Sequence, residues 1–91
     1  MIRFTVACTR DAEAALARLW LISADRSAVS IAANSIESEL HIDAMAKGDV
    51  AREGFRQLIV PPLSALFTVS EDDRMVTIWS FDLLNDQPPA P

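Results

Sequence analysis

The stretch Leu63–Phe81, reading LSALFTV, SEDDR, MVTIWSF, decides how this chain of 91 residues folds. Two runs rich in β-branched and aromatic residues flank a polar, acidic connection from Ser70 to Arg74. That pattern predicts a β-hairpin closed by a loop rather than by a two-residue turn. Strict alternation puts Leu63, Ala65, Phe67 and Val69 on one face of the first strand and Ser64, Leu66 and Thr68 on the other. In the second strand Val76 and Ile78 share one face, and Met75, Thr77, Trp79 and Phe81 share the other. Both faces of the hairpin therefore carry apolar side chains. Helices of the same chain can cover one of them, but a chain this short has little left for the second. That surplus points to a partner.

Upstream, Ile2 to Ala7 alternates apolar and polar residues and reads as a strand with Ile2, Phe4 and Val6 inward. Thr9 then suits a helix N-cap, with Asp11 and Glu13 in the first turn where the helix dipole favours acids. Ala12, Ala15, Leu16, Leu19 and Trp20 form a one-sided stripe that predicts a helix to about Ser23. Asp25 or Ser27 caps the next helix. Its stripe, Val29, Ala32, Ala33, Ile36 and Leu40, continues to Ala44, while Ile31 and Ile42 fall off it. Lys47 suits the last turn and Gly48 the left-handed exit. After Gly54, Phe55 to Val60 reads as a strand that Pro61-Pro62 ends, because proline donates no ladder hydrogen bond.

The expected order is β-α-α-β-β-β, with helices near residues 10–23 and 26–46 on one face of a mainly antiparallel sheet of about four strands. Helices grouped early and strands grouped late define an α+β fold. Residues 1–84 read as a single domain. Residues 85–91, Asn-Asp-Gln-Pro-Pro-Ala-Pro, read as a flexible, proline-rich tail.

Composition narrows the function. The net charge of −5 speaks against direct nucleic-acid binding, which draws its affinity from basic side chains that displace phosphate counterions. One cysteine, Cys8, excludes an internal disulfide and a multi-cysteine zinc site. No apolar run approaches the ~18 residues of a membrane span, and Arg3, Arg10 and Asp11 interrupt any signal-peptide pattern. A cytoplasmic protein without cofactor or metal is the expectation.

The element order and several phrases together resemble the RelE/ParE family of type II toxin–antitoxin toxins. The phrases are DAEAALARLWL (residues 11–21), AVSIAANSIESEL (28–40), GFRQLIV (54–60) and ALFTVSEDDRMVTIWSF (65–81). The resemblance covers about residues 2–82 and implies a helical hairpin on a sheet, closed by a β-hairpin. It implies one of two activities: ribosome-dependent mRNA cleavage, as in RelE-like members, or poisoning of gyrase by protein binding, as in ParE-like ones. In both, an antitoxin segment wraps the toxin across its helices and sheet.

The chain departs from the RNA-cleaving pattern. Ser64 stands where such members carry an arginine, and Asp82, Leu83 and Leu84 stand where they place a terminal basic or aromatic group. The chain has no tyrosine. Cleavage by the 2′-hydroxyl needs a base, an acid and cationic support for the phosphorane. Arg56, with Arg52 beside it, offers only the last. The reading is thus a toxin-like component acting by protein binding, ParE-like or catalytically degenerate. Its rivals are a RelE-like endoribonuclease and a non-toxic dimerisation module.

Individual residues divide accordingly. Arg56 matches the family's arginine in Gly54-Phe55-Arg56, to contact a phosphate or an antitoxin carboxylate; its bland reading is an exposed ion pair. Lys47 fits a solvated loop equally well. His41 has no partner ligand at metal spacing, Cys8 reads as a buried structural thiol, and Glu71-Asp72-Asp73 as a solvated loop. Trp79, Phe81, Met75 and Phe67, with Arg56, are the expected partner-binding residues. An antitoxin or a second copy of the chain would then cover the sheet.

Overall fold

The computed structural model describes residues 3–84. Ile2 and the 85–91 tail lie outside the described residues. Seven elements follow one another: β1 (Thr5–Cys8), α1 (Arg10–Ile22), α2 (Arg26–Leu40), β2 (Asp49–Arg52), β3 (Phe55–Val60), β4 (Leu63–Ser70) and β5 (Met75–Leu83). The strands form one sheet in the order β1-β5-β4-β3-β2. Only the β1–β5 pair is parallel. Both helices lie on the same face, α1 on β5 and β1, α2 on β3 and β4.

The helices begin where their caps dictate. Thr9 Oγ1 accepts from the Ala12 N–H at 3.1 Å, and Asp25 Oδ1 accepts from the Ala28 N–H at 3.0 Å. Arg26 closes the other end of α1 by donating to the Trp20 and Leu21 carbonyls, groups that no helical N–H reaches. Between sheet and helices sit Val29, Ile36, Leu40, Leu63, Phe67, Val76 and Ile78, all essentially free of solvent. Each such side chain is worth about 1.5–3 kcal/mol of burial.

Three expectations need correction. The second helix stops at Leu40, not near residue 46. Ile42 instead bridges to Arg3 beside β1, Asp43 takes a left-handed φ of 50°, and a separate 3-10 turn follows at Ala44–Ala46. Gly48 does adopt a left-handed φ, 66°, but it feeds β2 rather than ending a helix. The sheet has five strands because β2 pairs antiparallel with β3. All four β2 residues are exposed, so no hydrophobic alternation announces the strand.

The third correction is a β-bulge. Phe67 pairs with Ile78 and Leu66 with Ser80, which leaves Trp79 as an extra residue in β5. A one-residue insertion inverts the alternation beyond it. Phe81 therefore joins Val76 and Ile78 in the core at 4% exposure, opposite Ala65. It does not share the face of Trp79.

Candidate functional site

The sheet face turned away from the helices is built from the alternate residues of its strands. Leu58 and Phe67 point into the core, so Phe55, Gln57 and Ile59 of β3 and Leu66 and Thr68 of β4 point out. Trp79 stands out from the bulge. Its indole N–H donates to Thr68 Oγ1 at 2.9 Å, and its ring meets Phe55 edge-on, with centroids 6.2 Å apart at 71°. The Arg52 guanidinium lies over the Phe55 ring at 5.3 Å. These contacts hold the indole in place while 45% of the residue remains in solvent. Met75 and Ile59 are exposed on the same face.

This is a fixed, apolar platform with its one indole donor already satisfied. A large side chain held in place loses little entropy when a partner covers it, which suits an interface anchor. Phe55 and Thr68 were missed as members of the site. The period-two pattern of β3 marks Phe55 as outward, but nothing local shows that it meets Trp79 two strands away.

The other expected residues fall elsewhere. Phe67 is fully buried in the core, as Phe81 nearly is, so neither is a surface contact in the folded chain. Arg56 lies on the helix side of β3, where Nε donates to the Lys47 carbonyl at 3.1 Å and Nη2 to the Gly48 carbonyl at 3.3 Å. It ties the entry of β2 to the sheet. Ser64 is almost buried, and Asp82 is its cross-strand neighbour. His41 caps α2, and its Nδ1–H donates to the Phe4 carbonyl at 2.9 Å.

Cys8 is exposed rather than buried at the end of β1. Partial burial of its thiol, with Glu37 and Glu13 nearby, still raises its pKa above the ordinary thiol value. Among the described residues, no group of three or more His, Cys, Asp or Glu side chains converges on a metal position. Ser70 Oγ accepts from the Asp73 N–H and donates to its carboxylate, ordering the hairpin loop.

A second concave surface runs between α1 and α2, a groove of about 660 Å³ walled by Leu16, Ala17, Trp20, Val29 and Ala33. Trp20 donates to Ser30 Oγ across it and carries the Arg26 guanidinium 4.8 Å above its ring. Among the described residues no helix is long and apolar enough to cross a membrane.

No protein-family model and no curated protein matches this chain. Solved structures do. A chain of the toxin–antitoxin complex RelBE2 from Mycobacterium tuberculosis aligns over 94% of this chain and 97% of its own, with TM-score 0.76 and 18% identity. A chain of the chromosomal ParDE system from P. aeruginosa aligns over 93% and 100%, with TM-score 0.65 and 19% identity. A conserved hypothetical protein from Helicobacter pylori aligns over 88% and 93%, with TM-score 0.54 and 11% identity. The chain has the α+β fold of these RelE/ParE-like proteins, a helical hairpin on a mainly antiparallel sheet.

Proposed function

We propose that this chain is the toxin-like component of a type II toxin–antitoxin pair and that it acts by binding protein rather than by cutting RNA. The observation that carries the reading is the ordered but half-exposed Trp79–Phe55 pair on a sheet face that no other layer covers among the described residues. The fold shared with chains of the RelBE2 and ParDE systems supports it. An antitoxin segment is the occupant of that face, anchored on Trp79, Met75 and Ile59 and continuing into the groove beside Trp20. With a net charge of −5, the chain favours a partner with a basic rim, which speeds and orients association more than it tightens it.

Placement also favours binding over catalysis. The expected phosphate-contacting arginine, Arg56, spends its guanidinium on two backbone carbonyls. His41, the chain's one histidine, is on the helix side, bonded to Phe4. Arg52 is the cation that borders the aromatic pair, and it stands without an acid–base partner for RNA cleavage. A homodimer of the free chain that leaves the Trp79 face clear, in the cytoplasm, is compatible with this reading, as is plasmid stabilisation where such a pair is plasmid-borne.

Expression of the chain alone in a bacterial host tests the proposal. Growth arrest relieved by co-expressing the small protein encoded beside it is the expected result. An inert chain that captures no such protein would overturn it. A ribosome-programmed cleavage assay should show no cuts; specific cuts lost in Arg56→Ala would establish the enzyme instead.

A further inference from the structure

Among the described residues, no strand pairs with the outer edge of β1. Thr5 N–H donates to the Arg74 carbonyl and Thr9 N–H to the Ile78 carbonyl, both toward β5. Alternation then turns the backbone groups of Val6 and Cys8 the other way, to the free edge. One residue earlier in that register, the outward N–H of Phe4 is taken by the His41 carbonyl at 2.8 Å. Among the described residues the unpaired length of the edge is therefore Val6 to Cys8.

We infer that two copies of this chain pair β1 to β1 across a two-fold axis at Ala7, joining their sheets into one. Antiparallel pairing about Ala7 sets Val6 opposite Cys8 of the other copy. Those are the two residues whose N–H and C=O groups face outward, so each crossing makes two hydrogen bonds and the pair makes four. Any register displaced by one residue would present groups already spent on β5. The residue on the axis, Ala7, is small enough for two copies to meet there.

Charge on α1 fits the same axis. Asp11, Ala14 and Arg18 fall at i, i+3 and i+7 on one exposed stripe of the helix. The strand rises ~3.3 Å per residue. The helix that returns over it falls ~1.5 Å per residue. The level of Ala7 is thus reached near Ala14, midway between the two charges. A two-fold axis there lays Asp11 of each copy against Arg18 of the other, twice. Arg18 has no ion pair or hydrogen bond among the described residues. A copy arranged in the parallel sense would set like charges together.

Edges left open are templates for pairing, and an isologous contact of this kind closes after two copies. Exposed Ile22, beyond Arg18, extends the apolar part of the contact along the partner's α1. The inference stands apart from the antitoxin reading, since it uses the sheet edge and not the Trp79 face.

Analytical ultracentrifugation of the purified chain provides the test. A dimer is expected. Arg18→Glu should weaken it by about tenfold or more, since it brings acids together across the axis. The swap Asp11→Arg with Arg18→Asp should restore it, while circular dichroism shows the helices intact in both variants. Amide exchange at Val6 and Cys8 should slow on dimerisation. Trp79→Ala should leave the dimer unchanged. A chain monomeric at millimolar concentration overturns the inference. So does a dimer that ignores the charge variants, or one that dissociates in Trp79→Ala.

Discussion

Trp79 and Phe81 are two residues apart on one strand, yet a bulge gives them opposite duties. Phe81→Ala removes a ring from a closed core beside Ala65, and should cost about 3–5 kcal/mol in chemical denaturation. Trp79→Ala gives up one hydrogen bond and one edge-on ring contact in solvent, and should cost only about 1 kcal/mol of stability. Its effect belongs to binding: a loss of about 2 kcal/mol or more against the proposed antitoxin partner, measured by titration calorimetry. A Trp79→Ala chain that unfolds would place the indole in the core instead. Cys8 supplies a pH test. Because burial and the nearby Glu37 and Glu13 disfavour the thiolate, alkylation should reach half its maximal rate above the pH of an ordinary thiol. Glu37→Gln should move that midpoint downward, and an unmoved midpoint would leave burial and Glu13 as the causes.

At the scale of elements, β2 is the strand with least to hold it. It buries nothing and depends on its ladder with β3, the close approach at Gly48 and the two Arg56 bonds. A Cβ on Gly48 would lie 2.3 Å from the Gln57 carbonyl oxygen, on a backbone already at positive φ. Gly54 also has positive φ, but nothing stands within 4 Å of its Cβ direction. Gly48→Ala should therefore destabilise by about 1–3 kcal/mol and Gly54→Ala by about 1 kcal/mol, read from denaturant midpoints. Equal losses would show that conformation alone sets the cost. Arg56→Ala should speed amide exchange across β2 and leave that of the β4–β5 ladder unchanged.

For the whole molecule, the two apolar surfaces and the open edge lie in three different places. The Trp79 platform is on one side of the sheet, the Trp20 groove is on the outer side of the helices, and β1 is at the rim. On the two proposals, one antitoxin segment would cross the first two while two chains share the third. A tandem outcome is therefore expected from size-exclusion chromatography with light scattering: a complex of two copies of this chain with two of its antitoxin. A one-to-one complex of this chain would show that antitoxin binding and edge pairing exclude each other.

What was legible in the residues was periodic. The helical stripes with their Thr9 and Asp25 caps, and the two-fold alternation from Gly54 to Ile78, set the order of the elements other than β2, the α+β class and most of the core, because those signals depend on neighbours a few residues away. Three things were decided only in three dimensions. The bulge at Trp79 arises from how β4 and β5 match in register, and one unmatched residue sends Phe81 inward without altering any local pattern. Strand β2 exists through its pairing with β3, since its own side chains are all exposed. The Trp79–Phe55 platform joins residues two strands apart, and Arg56 turns to the carbonyls of Lys47 and Gly48 because the short path into β2 brings them within reach. Local spacing shows which side of an element is apolar; which residues meet across the sheet is settled by register and by the ends of the strands.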